Sequence, residues 1–401
     1  MLLNIDDNRI ALAIPPFLRL AFRPFFLCGA LFSILAIGWW SFYWLNPVVW
    51  NPYGGPIWWH GHEMIFGFAV AIVAGFLLTA VQAWTGVTGL RGVPLAILLV
   101  FWLAGRLALA LGSALPAGLL VCVDSLFLFC AAFAMAYPVL TVKQWRNIVF
   151  VPILLVLALL NLLSHWAVLT EQPQLATKAL HVAVMLIILV VAIIGGRVVP
   201  MFTANGTATE KILPIRWLEL CSLVSLLGVV VIAFAGYEKL PATALVVVLL
   251  FSALANGWRF LRWGFWRCWR VPLLWSLHMS YAFIPLGLLA LALHHAGLLA
   301  SGSAALHCFT VGAMGGMILA MISRVSLGHT GRALVAPPLM STAFLLILLA
   351  AVVRVLLPVS MPAAMNWAIG LAGVAWVIAY VLFLFCYAPL LLAPRVDGRP
   401  G

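Results

Sequence analysis

The sequence predicts an all-α, polytopic membrane protein of twelve transmembrane helices, and three observations predict it. Of 401 residues, 66% are apolar and only 7% are charged, against about a quarter charged in soluble domains. Apolar stretches of about 20 residues recur along the chain, the length that crosses a hydrocarbon core as helix. The ten-residue alternation of barrel strands is missing, so helices alone can satisfy the backbone in lipid.

The spans fall at 25–45, 63–84, 93–111, 116–139, 148–169, 177–198, 215–236, 241–262, 272–293, 303–323, 338–357 and 366–388. The first follows Asp6 and Asp7 and has no small-residue cleavage site, so it reads as a retained span. No stretch between spans suffices for a soluble unit, so 1–401 is expected to be one transmembrane domain.

A net charge of +12 raises the question of nucleic acid, but its distribution answers for topology. Arg9, Arg19 and Arg23 precede span 1, and Arg91 follows span 2. Lys143 and Arg146 follow span 4, and Arg197, Lys211 and Arg216 follow span 6. Arg259, Arg262, Arg267 and Arg270 follow span 8, Arg324 and Arg332 follow span 10, and Arg395 and Arg399 close the chain. Lys178 and Lys239 occupy loops on the other side, while Arg106 and Arg354 lie within spans. The positive-inside rule then puts both termini in the cytoplasm. The expected partner is the bilayer, not nucleic acid.

With that topology, seven of the nine histidines face outward: His60, His62, His165, His181, His294, His295 and His307. Span 6 opens with Ala179-Leu180-His181 and closes with Gly196-Arg197-Val198. Span 10 opens with Ala305-Leu306-His307 and closes with Ser323-Arg324-Val325. His62, His181 and His307 are 119 and 126 residues apart, four spans each time. An even-span repeat returns equivalent positions to one face. Three four-helix repeats are therefore expected, roughly 20–140, 141–265 and 266–395, with spans 2, 6 and 10 equivalent.

The run Trp58-Trp59-His60-Gly61-His62-Glu63-Met64 concentrates imidazole, carboxylate and thioether where hydrocarbon begins. Unpaired polar groups are costly there, and imidazole and thioether suit copper and haem iron. Packed around a pseudo-threefold axis, the repeats would bring histidines together in the outer half of the bundle. His60 and His62 are two positions apart, so both face inward only if Gly61 permits a non-helical opening turn; otherwise one ligates and the other sits at the interface.

A lone His at a span end usually bonds a carbonyl or water, the reading given to His165, His294 and His295. His278, deep in span 9, is a functional candidate by default. His329 follows span 10 in a basic loop. Arg106 and Asp124 share a depth, which suits a buried ion pair, although Arg106 and Arg354 could each hold a haem propionate. Glu63 could orient a ligand or pass protons, the catalytic role assigned to it. Cys28, Cys122, Cys130, Cys221, Cys268, Cys308 and Cys386 lack C-x-x-C spacing and read mostly as small hydrophobes. Met314, Met317 and Met321 read as packing residues. Gly75, Gly195, Gly196, Gly312, Gly315 and Gly316 let helices approach closely, and the same gap could admit a flat macrocycle.

Three segments carry a resemblance: Trp59 to Phe68; Gly195 to Pro200 with Phe202-Thr203; and Thr310 to Met317, running through Arg324 to Gly328-His329-Thr330-Gly331-Arg332. With Leu277-His278-Met279, they closely resemble the NnrS family over essentially the whole chain. The resemblance implies a bacterial inner-membrane protein of twelve spans containing haem b and copper, linked to nitric oxide and nitrosative stress. It implies metal-ligating histidines at His60, His62, His181, His278, His307 and His329. The threefold repeat is also similar to haem–copper oxidases and nitric oxide reductases. Their His-His pair on span 7 and His-x-His on span 10 are missing here.

The expected function is binding, and reduction or detoxification, of nitric oxide by an oxidoreductase with an unidentified electron donor. The rival expectations are a copper or small-solute transporter and a non-catalytic haem or nitric oxide sensor.

Overall fold

The computed structural model describes residues 8–46 and 48–400. Asp6 and Asp7 lie outside the described residues. Twelve helices are long and apolar enough to cross a membrane, and among the described residues there is no strand. In chain order they are α1 (Phe22–Leu45), α2 (Pro56–Thr85), α3 (Gly92–Leu111), α4 (Ala117–Thr141), α5 (Trp145–Leu169) and α6 (Pro173–Thr207). There follow α7 (Arg216–Ala235), α8 (Ala242–Arg267), α9 (Pro272–His295), α10 (Gly302–His329), α11 (Pro338–Ser360) and α12 (Pro362–Leu392). The chain is a multi-pass membrane protein.

Burial divides the helices into two classes. For α2, α6 and α10, 83%, 72% and 78% of the apolar window is buried, against at most 50% for any other helix. A helix that is apolar all round belongs in an interior, and these three are four spans apart. Around them run three outer sets in which neighbours pack: α3–α4–α5, α7–α8–α9 and α11–α12–α1. The last set joins the chain's two ends. Its seam is fixed by Arg23, buried on α1, whose Nη1 donates to Leu391 O at 2.9 Å and Ala393 O at 2.6 Å. Those carbonyls lie at the C-terminal end of α12, where the helix dipole favours a cation.

α2 and α10 are not regular. Glu63–Ala69 in α2 and Cys308–Gly315 in α10 are π-helical, each beginning one residue after a histidine. A π turn widens the helix and weakens its regular ladder, a geometry common at functional sites. Carbonyls in both stretches find side-chain donors on outer helices: Trp102 Nε1 donates to Gly67 O at 2.8 Å, and Tyr380 Oη donates to Gly315 O at 3.0 Å. α6 has no such stretch.

Several expected boundaries move. The expected span 2 began at residue 63, but Pro56–His62 is already helical, with Pro56 at its first turn. Pro is tolerated there because that N–H would be free anyway. The non-helical opening turn at Gly61 is therefore absent, and His60 and His62 diverge. His329 is the last residue of α10, not part of a loop. α6 runs nine residues past its expected end.

Small residues on the inner helices serve close packing. A Cβ on Gly312 would meet the Phe283 ring, one on Gly196 the Arg259 guanidinium, and one on Gly315 the Trp376 ring. The gap once open to a macrocycle is filled by these side chains. α2, α6 and α10, with Phe26 of α1, line a partly open apolar cavity of about 60 Å³, bordered among others by Phe76, Ile194, Met317 and Met321.

Candidate functional site

The first turns of α2, α6 and α10 lie at one end of the bundle, together with the C-terminal part of α11. His60 stacks on Trp40, ring centroids 4.3 Å apart and planes 12° from parallel. Its Nδ1 is buried with no hydrogen-bond partner among the described residues, an arrangement that costs free energy unless something else binds it. His307 Nδ1 lies 2.7 Å from Ser303 O. A carbonyl only accepts, so Nδ1 carries the proton and Nε2 keeps its lone pair, the tautomer a metal ligand needs. His181 is half-buried and lies in the third turn of α6, eight residues after Pro173. His307 stands within electrostatic range of His60, His181 and Arg354. Arg354 Nη2 reaches Ser303 Oγ at 3.4 Å, so Ser303 touches both the cation and the imidazole.

His62 goes elsewhere. It is fully buried, stacks on Trp58 with centroids 4.5 Å apart, and enters a polar network among α2, α3, α4 and α5. Its Nδ1 is 3.2 Å from Glu63 Oε1, and its Nε2 is 2.7 Å from Asn161 Oδ1 and 3.3 Å from Asp124 Oδ2. Arg106 pairs with Glu63 through Nη1 and with Asp124 through Nη2. Its guanidinium is thus committed to two carboxylates in place of a propionate. His165, expected to be an interfacial residue, is fully buried and has its Nε2 3.1 Å from Asp124 Oδ2. Its Nδ1 is 3.4 Å from Tyr53 Oη. Tyr53 sits in the α1–α2 loop, where burial first and the Asp124 charge second push its hydroxyl up to about 12. That hydroxyl keeps its proton at neutral pH.

The remaining expected ligands do not join either group. His278 is buried on α9 with Nε2 2.9 Å from Thr203 Oγ1 and no partner for Nδ1 among the described residues. His329 lies at the opposite end of α10 and packs on Phe22, with centroids 5.5 Å apart. Met317 and Met321 line the inner cavity, away from both groups. Cys308, next to His307, is buried beside Ala304 and Val355. The six histidines therefore form no single site.

His165, Asn161 and Tyr53 were not assigned a role from sequence. One signal was available. Asn161, Ser164 and His165 stand at i, i+3 and i+4 in the otherwise apolar stretch Phe150–Leu169 of α5, which puts them on one face.

No curated protein matches the chain. A profile of the family described as NnrS protein matches residues 16–395, nearly the whole length. The chain belongs to the NnrS family.

Proposed function

We propose that the chain is a copper-binding protein of the bacterial inner membrane that captures nitric oxide during nitrosative stress. The observation that carries this reading is that His60, His181 and Arg354 all stand within electrostatic range of His307 at one end of the inner helices, although their ring nitrogens do not all lie within 4.8 Å of one another as those of His62 and His165 do. The donor set fits copper. Three imidazoles suit it, the unpaired Nδ1 of His60 is in want of a partner, and His307 already presents a free Nε2. Copper held there would supply a binding position for the gas and a route for one electron at a time.

The protein's own contribution is to orient and to exclude. Trp40 fixes the His60 ring, and Ser303 fixes the His307 tautomer. Arg354 keeps a positive charge beside the imidazoles, which suits an anionic reduced ligand. The apolar cavity between the inner helices has room for a diatomic gas that partitions into lipid. Membership of the NnrS family supports the link to nitric oxide.

Haem b, implied by the same resemblance, would meet no histidine and no cation for its propionates in the lining of that cavity. A Soret band in purified protein would establish its presence.

The test is nitric oxide uptake by the detergent-purified chain, followed with an electrode, before and after reduction by ascorbate. Binding that saturates at one gas molecule per copper supports capture. Continuing consumption with reductant makes the protein an oxidoreductase and leaves its electron donor to be identified. No uptake in either state overturns the reading and returns attention to copper transport.

A further inference from the structure

The buried network around Asp124 is built in a way that hydrogen bonding alone does not require. We propose that His62, His165 and Asp124, with the carbonyl oxygen of Asn161, form a site for a divalent first-row cation, iron(II) or zinc. It uses none of the side chains of the copper proposal and stands independently of it.

Three features of the geometry carry the proposal. The two rings approach the same carboxylate oxygen through their Nε2 atoms, at 3.3 and 3.1 Å, and the ligand atoms of His62, Asp124 and His165 all lie within 4.8 Å of one another. Ligands about 2.0–2.2 Å from a tetrahedral metal are themselves about 3.3 Å apart. Asn161 Oδ1 lies 2.7 Å from His62 Nε2, a hydrogen-bond distance, and would join as a fourth ligand only by opening that contact to about 3.3 Å.

The second feature is the outer shell. Each ring has its Nδ1 on a separate partner: Glu63 Oε1 for His62 and Tyr53 Oη for His165. Metal-bound histidines hold their second nitrogen in this fashion, which fixes tautomer and ring orientation. Arg106 takes the other oxygen of Asp124, and Oδ2 faces both rings together with Asn161 Nδ2, which donates to it at 2.8 Å.

Charge is the third. Glu63 and Asp124 are opposed by a single guanidinium, and Arg106 is the one Lys or Arg in the network among the described residues. All of these groups are buried, so the excess negative charge needs a partner. One proton on one imidazole would balance that single excess charge and a divalent cation would exceed it by one, so charge calls for a positive partner and it is the second aligned ring, with its own outer partner, that points to a metal. Two imidazoles with carboxylate and amide oxygens suit iron(II) or zinc better than copper(I), which takes softer donors.

The experiment is elemental analysis of the full chain in detergent, with haem iron measured separately by its absorbance and subtracted. Wild type should hold close to one iron or zinc per chain, lost in His165→Ala and Asp124→Asn and kept in His181→Ala and His307→Ala. Wild type without iron or zinc, or His165→Ala with as much as wild type, overturns the proposal. If the buried variants fail to fold, Tyr53→Phe serves, since it changes a loop residue and removes one outer partner. It should weaken metal retention against a chelator about 10–100-fold, and unchanged retention speaks for a metal-free network holding a proton.

Discussion

A step of two residues along an α-helix turns a side chain by about 200°, and that rotation sends His60 and His62 into separate environments. His60 stacks on Trp40 within electrostatic range of His307, while His62 joins the network of Glu63, Arg106 and Asp124. The sequence could present the two imidazoles as one motif because spacing alone does not say whether the turn is helical. The pairing of Arg106 with Asp124 was legible from their common depth in adjacent antiparallel spans. The participation of Glu63, Asn161 and His165 was not, because it depends on how α2 and α5 pack against α4. Removing the guanidinium leaves two buried carboxylates facing each other. Arg106→Ala should therefore destabilise the protein by about 3–5 kcal/mol, read as a lowered unfolding midpoint in detergent. Adding Asp124→Asn should recover part of that loss. A midpoint unchanged in Arg106→Ala would contradict the network.

Helix count and approximate span positions follow from hydrophobic length, and those expectations hold across the twelve elements. What hydropathy does not register is a change of helical pitch. The π stretches in α2 and α10 contain ordinary apolar residues and glycines, and their cause is tertiary: Trp102 and Tyr380 bond carbonyls within them. Inner glycines are the visible trace of this packing. A Cβ at Gly312 would lie 2.2 Å from the Phe283 ring, so Gly312→Ala should cost about 1–3 kcal/mol by overpacking. Gly228 on α7 is a control, with nothing within 4 Å of an added Cβ. Gly228→Ala should be neutral or stabilising by up to about 1 kcal/mol. Thermal unfolding of the two variants checks the contrast, and equal effects would sink it. Deleting Val311 should restore regular α-helix in α10 and turn His307 by about 100° relative to the rest of the helix. Copper retention should fall while helix content measured by circular dichroism stays within error.

At the scale of the whole molecule, most of the basic residues and seven of the nine histidines lie toward opposite ends, His278 and His329 being the exceptions among the histidines. Charge bias in the loops predicts which end faces the cytoplasm. Reporter fusions after Thr209 and Ala333 should report cytoplasmic, and fusions after Gln172 and Leu299 should report the other side. The reverse pattern would put the His60 end in the cytoplasm. Spacing by four spans named α2, α6 and α10 as partners, and these are the three most buried helices, lining one cavity. Which histidines meet was less legible, since His278 and His329 sit on the same helices or their neighbours but far along the bundle. The central claim is that His60, His181 and His307 together hold copper. Copper content per chain in purified wild type and single His→Ala variants tests it most directly. The account predicts close to one copper in wild type and in His278→Ala, with loss in each of His60→Ala, His181→Ala and His307→Ala. Copper retained in all three, or equally absent from wild type, would contradict it.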